Sequence, residues 1–305
     1  MKIIPGSSNQ KLAAQLAESM NLELLKTEVS KFSDGELKVQ VHGDITSEIM
    51  IIQSTSQPVN DNLMELLLLA DTAKRAGAKD IIALIPYFGY ARQNMTFHKN
   101  SPISVSLVIK MIENAGITKV ITLDLHSKQI EGMFNIPITN IDTTDLFLPV
   151  INDKQNAIIV SPDIGGIARA RNYSNHLNVD LAILNKNRVQ NNECIIDGLI
   201  GDVKDKDCFI VDDIIDSAST VCLAAELLHT HGARSVNALI THGVLSGNAV
   251  DKINQSNIEN LYISDSIVLK NNCQKIKIIP IKELILANNK ALGSKPDTHI
   301  FALKL

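Results

Sequence analysis

Residues 209–220 read FIVDDIIDSAST, and this stretch decides the class of fold. The apolar run at 208–211 is short and bounded by charge on its N-terminal side, the pattern of a strand covered on both faces. Asp212 and Asp213 fall at its carboxyl end. From Thr220 onward Val221, Ala224, Ala225 and Leu228 recur with a helical period, so Asp216, Ser217, Ala218, Ser219 and Thr220 are predicted to form a strand-to-helix turn. Backbone N–H groups and the helix dipole make such a turn an anion site, and its hydroxyls add donors. An ionised carboxylate only accepts hydrogen bonds, so Asp212 and Asp213 suit a vicinal diol rather than a phosphate. The plainer alternative is a capped helix after a core strand. Three carboxylates and three hydroxyls between positions 212 and 220 favour a site for a sugar phosphate.

The same alternation runs outward in both directions. Short β-type runs at 49–52, 81–85 and 120–123 are each followed by helical patterns, two of them at 63–76 and 105–115. Further strands are expected at 157–160, 181–184, 209–211 and 236–240. This predicts an α/β chain of mainly parallel sheets flanked by helices, in two halves divided near 141–144. In such sheets ligands lie beyond the carboxyl ends of the strands, where the polar motifs of this chain fall.

Composition narrows the class. The 305 residues, 45% hydrophobic, support two domains of ordinary size. A net charge of −4 gives no electrostatic case for nucleic acid or an anionic membrane as partner. Cys194, Cys208, Cys222 and Cys273 form no CxxC pair and read as reduced thiols. The opening MKIIPGSSNQ turns polar too early for a signal peptide. Apolar runs such as 66–70 fall far short of the roughly 20 residues a membrane span needs. A cytoplasmic enzyme is the expected class.

Three further groups carry chemistry. His126 and Asp163 each follow a predicted strand closely, so both are expected in one crevice between the halves, although a hydrogen-bonded structural histidine and a helix-capping aspartate would read the same. Lys186 and Arg188 lie in NKNRVQNNE, whose asparagines predict a mobile loop. FSDGE at 32–36 offers an aromatic face and carboxylates around Gly35, and on residues alone is an exposed turn before a strand.

These segments, with QSTSQPVNDNLMELL (53–67), IPYFGYARQ (85–93), DLHSKQIEGMF (124–134), VSPDIGG (160–166) and THGVLSG (241–247), resemble the ribose-phosphate pyrophosphokinase family, also called phosphoribosyl-pyrophosphate synthetases, over nearly the whole chain. The resemblance implies two phosphoribosyltransferase-type domains, at 1–143 and 144–285, with residues 286–305 or so returning to the first. It implies transfer of a diphosphoryl group from MgATP to ribose 5-phosphate. By the same likeness Phe32, Asp34, Gly35, Glu36, Arg92 and Gln93 bind ATP, and His126 and Asp163 surround Mg²⁺. Lys186 and Arg188 close over the reacting phosphates, Arg188 also meeting ribose 5-phosphate. Asp212, Asp213 and the 216–220 turn hold that sugar phosphate. An active site shared between subunits of a homo-oligomer, a hexamer or another dimer-based assembly, is also implied.

Departures from the family pattern bear on function. Asn94, Met95, Thr96 and Phe97 stand where the family continues with Asp and basic residues, and Ser219 stands where Gly is common. A side chain at 219 would be strained if φ were positive there. Residues 44–48 hold no Arg, which predicts weakened regulation by phosphate and ADP. Two competing readings are a phosphoribosyltransferase that consumes the diphosphate donor and a catalytically silent subunit. The first has no need of FSDGE, ARQ or Lys186, and retention of His126, Asp163, Lys186 and Arg188 opposes the second.

Overall fold

The computed structural model describes residues 1–96, 98–151, 155–188, 194–270 and 273–288, with only the backbone course given for 186–188 and 194–197. The N-terminal half runs β1 (Lys2–Pro5), α1 (Gln10–Ser19), β2 (Lys26–Lys31), β3 (Leu37–His42), β4 (Glu48–Ile52), α2 (Val59–Arg75), β5 (Asp80–Ile85), α3 (Ser104–Asn114), β6 (Lys119–Leu123) and β7 (Ile138–Ile141). Its main sheet has the order β1-β4-β5-β6-β7 and is parallel throughout. Strand β4 explains the layering. Its alternation sends Ile49 and Ile51 to the face covered by α2 and α3, and Met50 and Ile52 to the face covered by α1. The pair β2–β3 forms a separate antiparallel hairpin.

The second half runs α4 (Thr144–Phe147), β8 (Ala157–Ser161), α5 (Ile167–Leu177), β9 (Asp180–Arg188), β10 (Cys194–Ile200), β11 (Asp207–Ile215), α6 (Ser219–Thr230), β12 (Ser235–Gly243), α7 (Ala249–Gln255), β13 (Asn260–Ser264), β14 (Ile276–Ile279) and α8 (Lys282–Ala287). The sheet order is β10-β9-β8-β11-β12-β13-β14, with β9–β10 the one antiparallel pair among the described strands of this sheet. Strand β11 is buried on both faces as its sequence predicts. Cys208 and Ile210 pack under α6, whereas Phe209 and Val211 pack with Ala170, Tyr173 and Leu177 of α5.

Two elements differ from expectation. Strand β11 continues past Val211 to Ile215, because β12 pairs along it as far as Ile215↔Gly243. Pairing with β8 ends at Ile210↔Val160, so the flank of β11 beyond Ile210 lies open where the carboxylates emerge. The predicted loop carrying Lys186 and Arg188 is strand up to Arg188. The β-branched residues Ile195 and Ile196 lie in β10, and the register Ile196↔Lys186 and Cys194↔Arg188 supplies the backbone partners that the asparagine-rich composition concealed.

The halves meet through buried polar contacts. Ser54 Oγ donates to the Ser266 carbonyl at 2.6 Å, and Thr143 and Thr241 hydroxyls lie 2.7 Å apart. His242 Nε2 lies 3.1 Å from the Leu123 carbonyl and Nδ1 2.8 Å from Ser266 Oγ, with Tyr87 edge-on against the ring. The chain then crosses back, and Ile281 and Ile285 bury beside Leu12 and Leu16 of α1.

Burial lowers the basicity of His242 below its ordinary 6.5, so the neutral ring donates Nε2–H and accepts at Nδ1. On unfolding the ring takes up a proton near 6.5. Its stabilising contribution is therefore complete above that pH and is lost as the pH falls below it. The melting temperature of the wild type should fall more steeply on acidification through this range than that of His242→Gln. Parallel calorimetric profiles would remove His242 as the acid-sensitive joint.

Candidate active site

The open flank of β11 presents Asp212 and Asp213, and a cation from another element holds them. Arg169, on α5, places Nη1 3.5 Å from Asp212 Oδ1 and 3.5 Å from Asp213 Oδ1. Its Nη2 donates to Asp124 Oδ1 at 3.1 Å. Asp124 follows β6 in the first half with a left-handed φ of 39°, and its Oδ2 accepts from Thr241 Oγ1 at 2.7 Å. Burial opposes the charge on Arg169, but Asp124, Asp213 and Asp212 outweigh it and raise its basicity. One guanidinium thus joins carboxylates of both halves.

The two adjacent aspartates differ. Asp213, with 6% of its side chain exposed, lies 2.7 Å from His126 Nδ1. Burial alone would favour its neutral acid, but the His126 hydrogen bond and the Arg169 charge hold it well below the usual carboxylate range. The same hydrogen bond raises His126 above 6.5 against the opposing effect of burial. His126 thus donates its Nδ1–H to Asp213. Burial and the neighbouring Asp213 charge push Asp212 up, and its side chain keeps 22% exposure. Asp212 is the member of the pair open to a ligand. Asp163 adds negative charge near it. The Asp163 Oδ1 accepts the Gly166 N–H at 2.9 Å, the capping bond that the sequence also allowed.

Beyond β11 the turn reaches α6. Its first turn has no side-chain cap, and Ala218 stands before it at φ 62° and ψ −4°. The left-handed residue is Ala218 and not Ser219, so the steric penalty anticipated at Ser219 falls one position earlier. Asp216 is already engaged. Its Oδ2 accepts from Arg92 Nη1 at 2.6 Å, and its Oδ1 accepts from the Ser246 hydroxyl. Arg92 follows β5, so this ion pair is a second link between the halves. Ser217 and Ser219 flank Ala218, and Thr220 lies in the first turn of α6.

The remaining predicted residues sit apart from this cluster. Phe32, Asp34, Gly35 and Glu36 form the tip of the β2–β3 hairpin, closed by Phe32 N–H to the Glu36 carbonyl at 2.8 Å and Glu36 N–H to Asp34 Oδ1 at 3.1 Å. Gly35 takes φ 95° there. Phe32 is 53% exposed, with Lys38 Nζ 6.0 Å from its ring centre. Gln93 accepts from Ser104 at the start of α3. The backbones of Lys186 and Arg188 lie on β9, and their side chains fall outside the described residues.

Sequence reasoning missed Arg169, Asp124, Thr241 and Ser246. A signal was present for Arg169. A cation in the first turn of a helix opposes the macrodipole and needs nearby carboxylates to hold it.

Comparison with known proteins gives the family. Residues 1–116 match the model of the N-terminal domain of ribose phosphate pyrophosphokinase, and residues 195–292 match that of the phosphoribosyl synthetase-associated domain. A ribose-phosphate pyrophosphokinase of Campylobacter jejuni is 46% identical over 283 residues, covering 92% of each chain. One from Thermotoga maritima is 42% identical and covers 93% of this chain and 92% of its own. The crystal structure of phosphoribosylpyrophosphate synthetase from Mycobacterium smegmatis superposes with a TM-score of 0.89 at 28% identity, over 95% of this chain and 98% of that one.

The Arg169 cluster makes a direct stability prediction. Arg169→Met leaves buried carboxylates without their cation, and breaking such a pair costs about 3–5 kcal/mol. Urea unfolding should show a loss of that order, with Arg169→Lys recovering only part of it because an ammonium cannot reproduce the guanidinium fork. Unchanged midpoints would show that the cluster contributes no net stability.

Proposed function

We infer that this chain, which belongs to the ribose-phosphate pyrophosphokinase family, transfers the intact diphosphoryl group of ATP to the anomeric hydroxyl of ribose 5-phosphate. The products are phosphoribosyl pyrophosphate and AMP. The sugar oxygen forms a bond to the β-phosphorus, the bond from that phosphorus to the α–β bridging oxygen breaks, and the bridging oxygen leaves with AMP. The observation that carries the reading is the meeting, at one strand end, of an accessible carboxylate, a second carboxylate paired with a histidine, and an uncapped helix N-terminus.

We assign the roles as follows. Asp212 accepts from the ribose hydroxyls, while Asp213 orients His126 through its Nδ1–H. Ser217, Ala218, Ser219 and Thr220 receive the 5-phosphate on backbone and hydroxyl donors, and Asp216 anchors their turn through Ser246 and Arg92. Arg92 and Gln93 meet ATP. Lys186 and Arg188, carried on the β9–β10 arm, neutralise charge on the group in transfer, where positioning and electrostatics supply most of the catalysis.

The family calls for a divalent metal, and the donors fit Mg²⁺. Asp163 and His126 form no protein cage, and among the described residues no group of three or more acidic, histidine or cysteine side chains gathers to make one. That suits an ion that keeps waters and takes phosphate oxygens. Bound there, Mg²⁺ would neutralise phosphate charge. Asp163 and His126 are its protein ligands on this reading, His126 offering Nε2 while its Nδ1–H stays on Asp213.

The exposed FSDGE tip supports a site shared between subunits, with Phe32 stacking on the adenine of a neighbouring active site while Asp34 and Glu36 accept from its amino group. We further propose the domain division 1–143 and 144–285, with α8 packing on the first domain and residues 289–305 lying outside the described residues, and a cytoplasmic location. Among the described residues no helix is long and apolar enough to cross a membrane.

Two experiments test this reading. Purified protein should form AMP only when ribose 5-phosphate and a divalent cation are both supplied, followed by chromatography of the nucleotides; ADP as the product would overturn it. The second separates chemistry from binding. Lys186→Ala should lower kcat and kcat/KM together by about 100-fold to 1000-fold, as removal of a preorganised transition-state donor does. Asp212→Ala should act mainly by raising KM for ribose 5-phosphate. Near wild-type turnover in Lys186→Ala would make the β9–β10 arm a solvated hairpin.

A further inference from the structure

One contact at the phosphate turn has no part in the roles above. Lys252, on α7, extends Nζ to 2.8 Å from Ser219 Oγ. An ammonium has donors and no acceptor, so the serine oxygen accepts this bond. Ser217 Oγ approaches the same oxygen as a second, longer donor at 3.4 Å. A hydroxyl has two acceptor sites and one proton. With both acceptor sites facing donors, the proton of Ser219 is left to donate, and among the described residues nothing accepts it.

The electrostatic setting points the same way. Ser219 opens the 12-residue helix α6, whose first turn carries no side-chain cap. The positive end of a helix dipole repels a nearby cation, yet an ammonium is held against it. Lys252 makes no ion pair among the described residues. The closest carboxylate in the turn, Asp216, is taken by Arg92 and Ser246. Two positive poles and a hydroxyl proton left to donate form an arrangement that an anion of high charge density relieves.

We propose that Lys252 is a positioning residue for the 5-phosphate of ribose 5-phosphate, acting through Ser219, which it turns into an obligate donor while adding its charge to the turn. This rests on the assignment of residues 216–220 to the 5-phosphate. It distinguishes Lys252 from a mere tie between α6 and α7, which would alter stability and leave sugar phosphate recognition untouched.

Steady-state kinetics on the full chain tests it. Lys252→Met should raise KM for ribose 5-phosphate about five- to tenfold, the scale of one charge at a helix N-terminus, with little change in kcat or in KM for ATP. Lys252→Arg should recover most of the loss. Ser219→Ala should also raise that KM, and the double variant Ser219→Ala/Lys252→Met should be no worse than the weaker-binding single, since the two act as one unit. Lys275→Met removes an equal charge from a lysine that instead bonds the Ser256 carbonyl at the end of α7, and should leave KM alone. Where methionine at 252 fails to fold, Lys252→Gln keeps a donor without the charge and should still raise KM. A wild-type KM for ribose 5-phosphate in the position-252 variants, a drop in melting temperature without a change in KM, or simple additivity with Ser219→Ala would overturn the proposal. If Ser219→Ala and Thr220→Val raise KM while Lys252→Met does not, the role of Lys252 alone falls. If none of the three raises it, the assignment of the turn falls as well.

Discussion

A guanidinium shared among carboxylates of two half-molecules is the constraint on which the site depends. Asp212 and Asp213 are consecutive, and two such charges in a partly dry crevice repel each other enough that one would ordinarily stay protonated. Arg169, 18% exposed, removes that difficulty for Asp213 and at the same time reaches Asp124 across the joint. The distance between the carboxyl edges of the two sheets is thereby tied to the ionisation of the site. A change that loosens the joint frees Asp213, and with it the orientation of His126.

The joint itself is polar rather than greasy. Buried hydroxyls, the neutral His242 ring and backbone carbonyls close it with directional hydrogen bonds. Apolar faces tolerate small slips, whereas a buried donor that loses its acceptor costs the full desolvation penalty, about 1–3 kcal/mol. Such a joint has few alternative registers. That is an appropriate way to hold two strand ends at a fixed separation, because positioning supplies much of the rate in phosphoryl chemistry. The elements proposed to close over the phosphates and the adenine are both antiparallel hairpins, β9–β10 at the edge of the second sheet and β2–β3 outside the parallel sheets. On the proposed roles the strand ends hold the sugar and the charge cluster, and the hairpins carry Phe32, Asp34, Glu36, Lys186 and Arg188.

How much of this was legible in the sequence follows from what sets each feature. Strand β11 was readable because its burial on both faces demands an unbroken apolar run, and the helical period after Thr220 marks α6. The placement of Asp212 and Asp213 followed from those two facts. Strand β9 was read too short because 185–188 is polar, and its pairing depends on β10 across residues whose own composition signals a loop. Arg169, Asp124 and Thr241 escaped notice for a different reason. Their meaning lies in a convergence of α5, β6 and β12, elements far apart in sequence, and no local pattern encodes a three-way contact. Lys252 and Ser219 are separated by 33 positions and raise the same obstacle. Ser219 was noticed for a strain that belongs to Ala218, since sequence marks an unusual residue at a turn more readily than it locates the positive φ.

The pair Asp212–Asp213 shows why residue type alone does not assign a role. Both are aspartates on one strand, and both lie 3.5 Å from the same Arg169 nitrogen. One finds His126 and is held well below the usual carboxylate range, while the other is left at the opening with its pKa raised by burial and by its neighbour. An acceptor for hydroxyl protons works best as the carboxylate, and burial and the Asp213 charge work against that form of Asp212. Arg169 reaches it at 3.5 Å, and the cations proposed for the transferred phosphates would add to that field. The field proposed to meet the phosphates therefore also favours the acceptor form of Asp212.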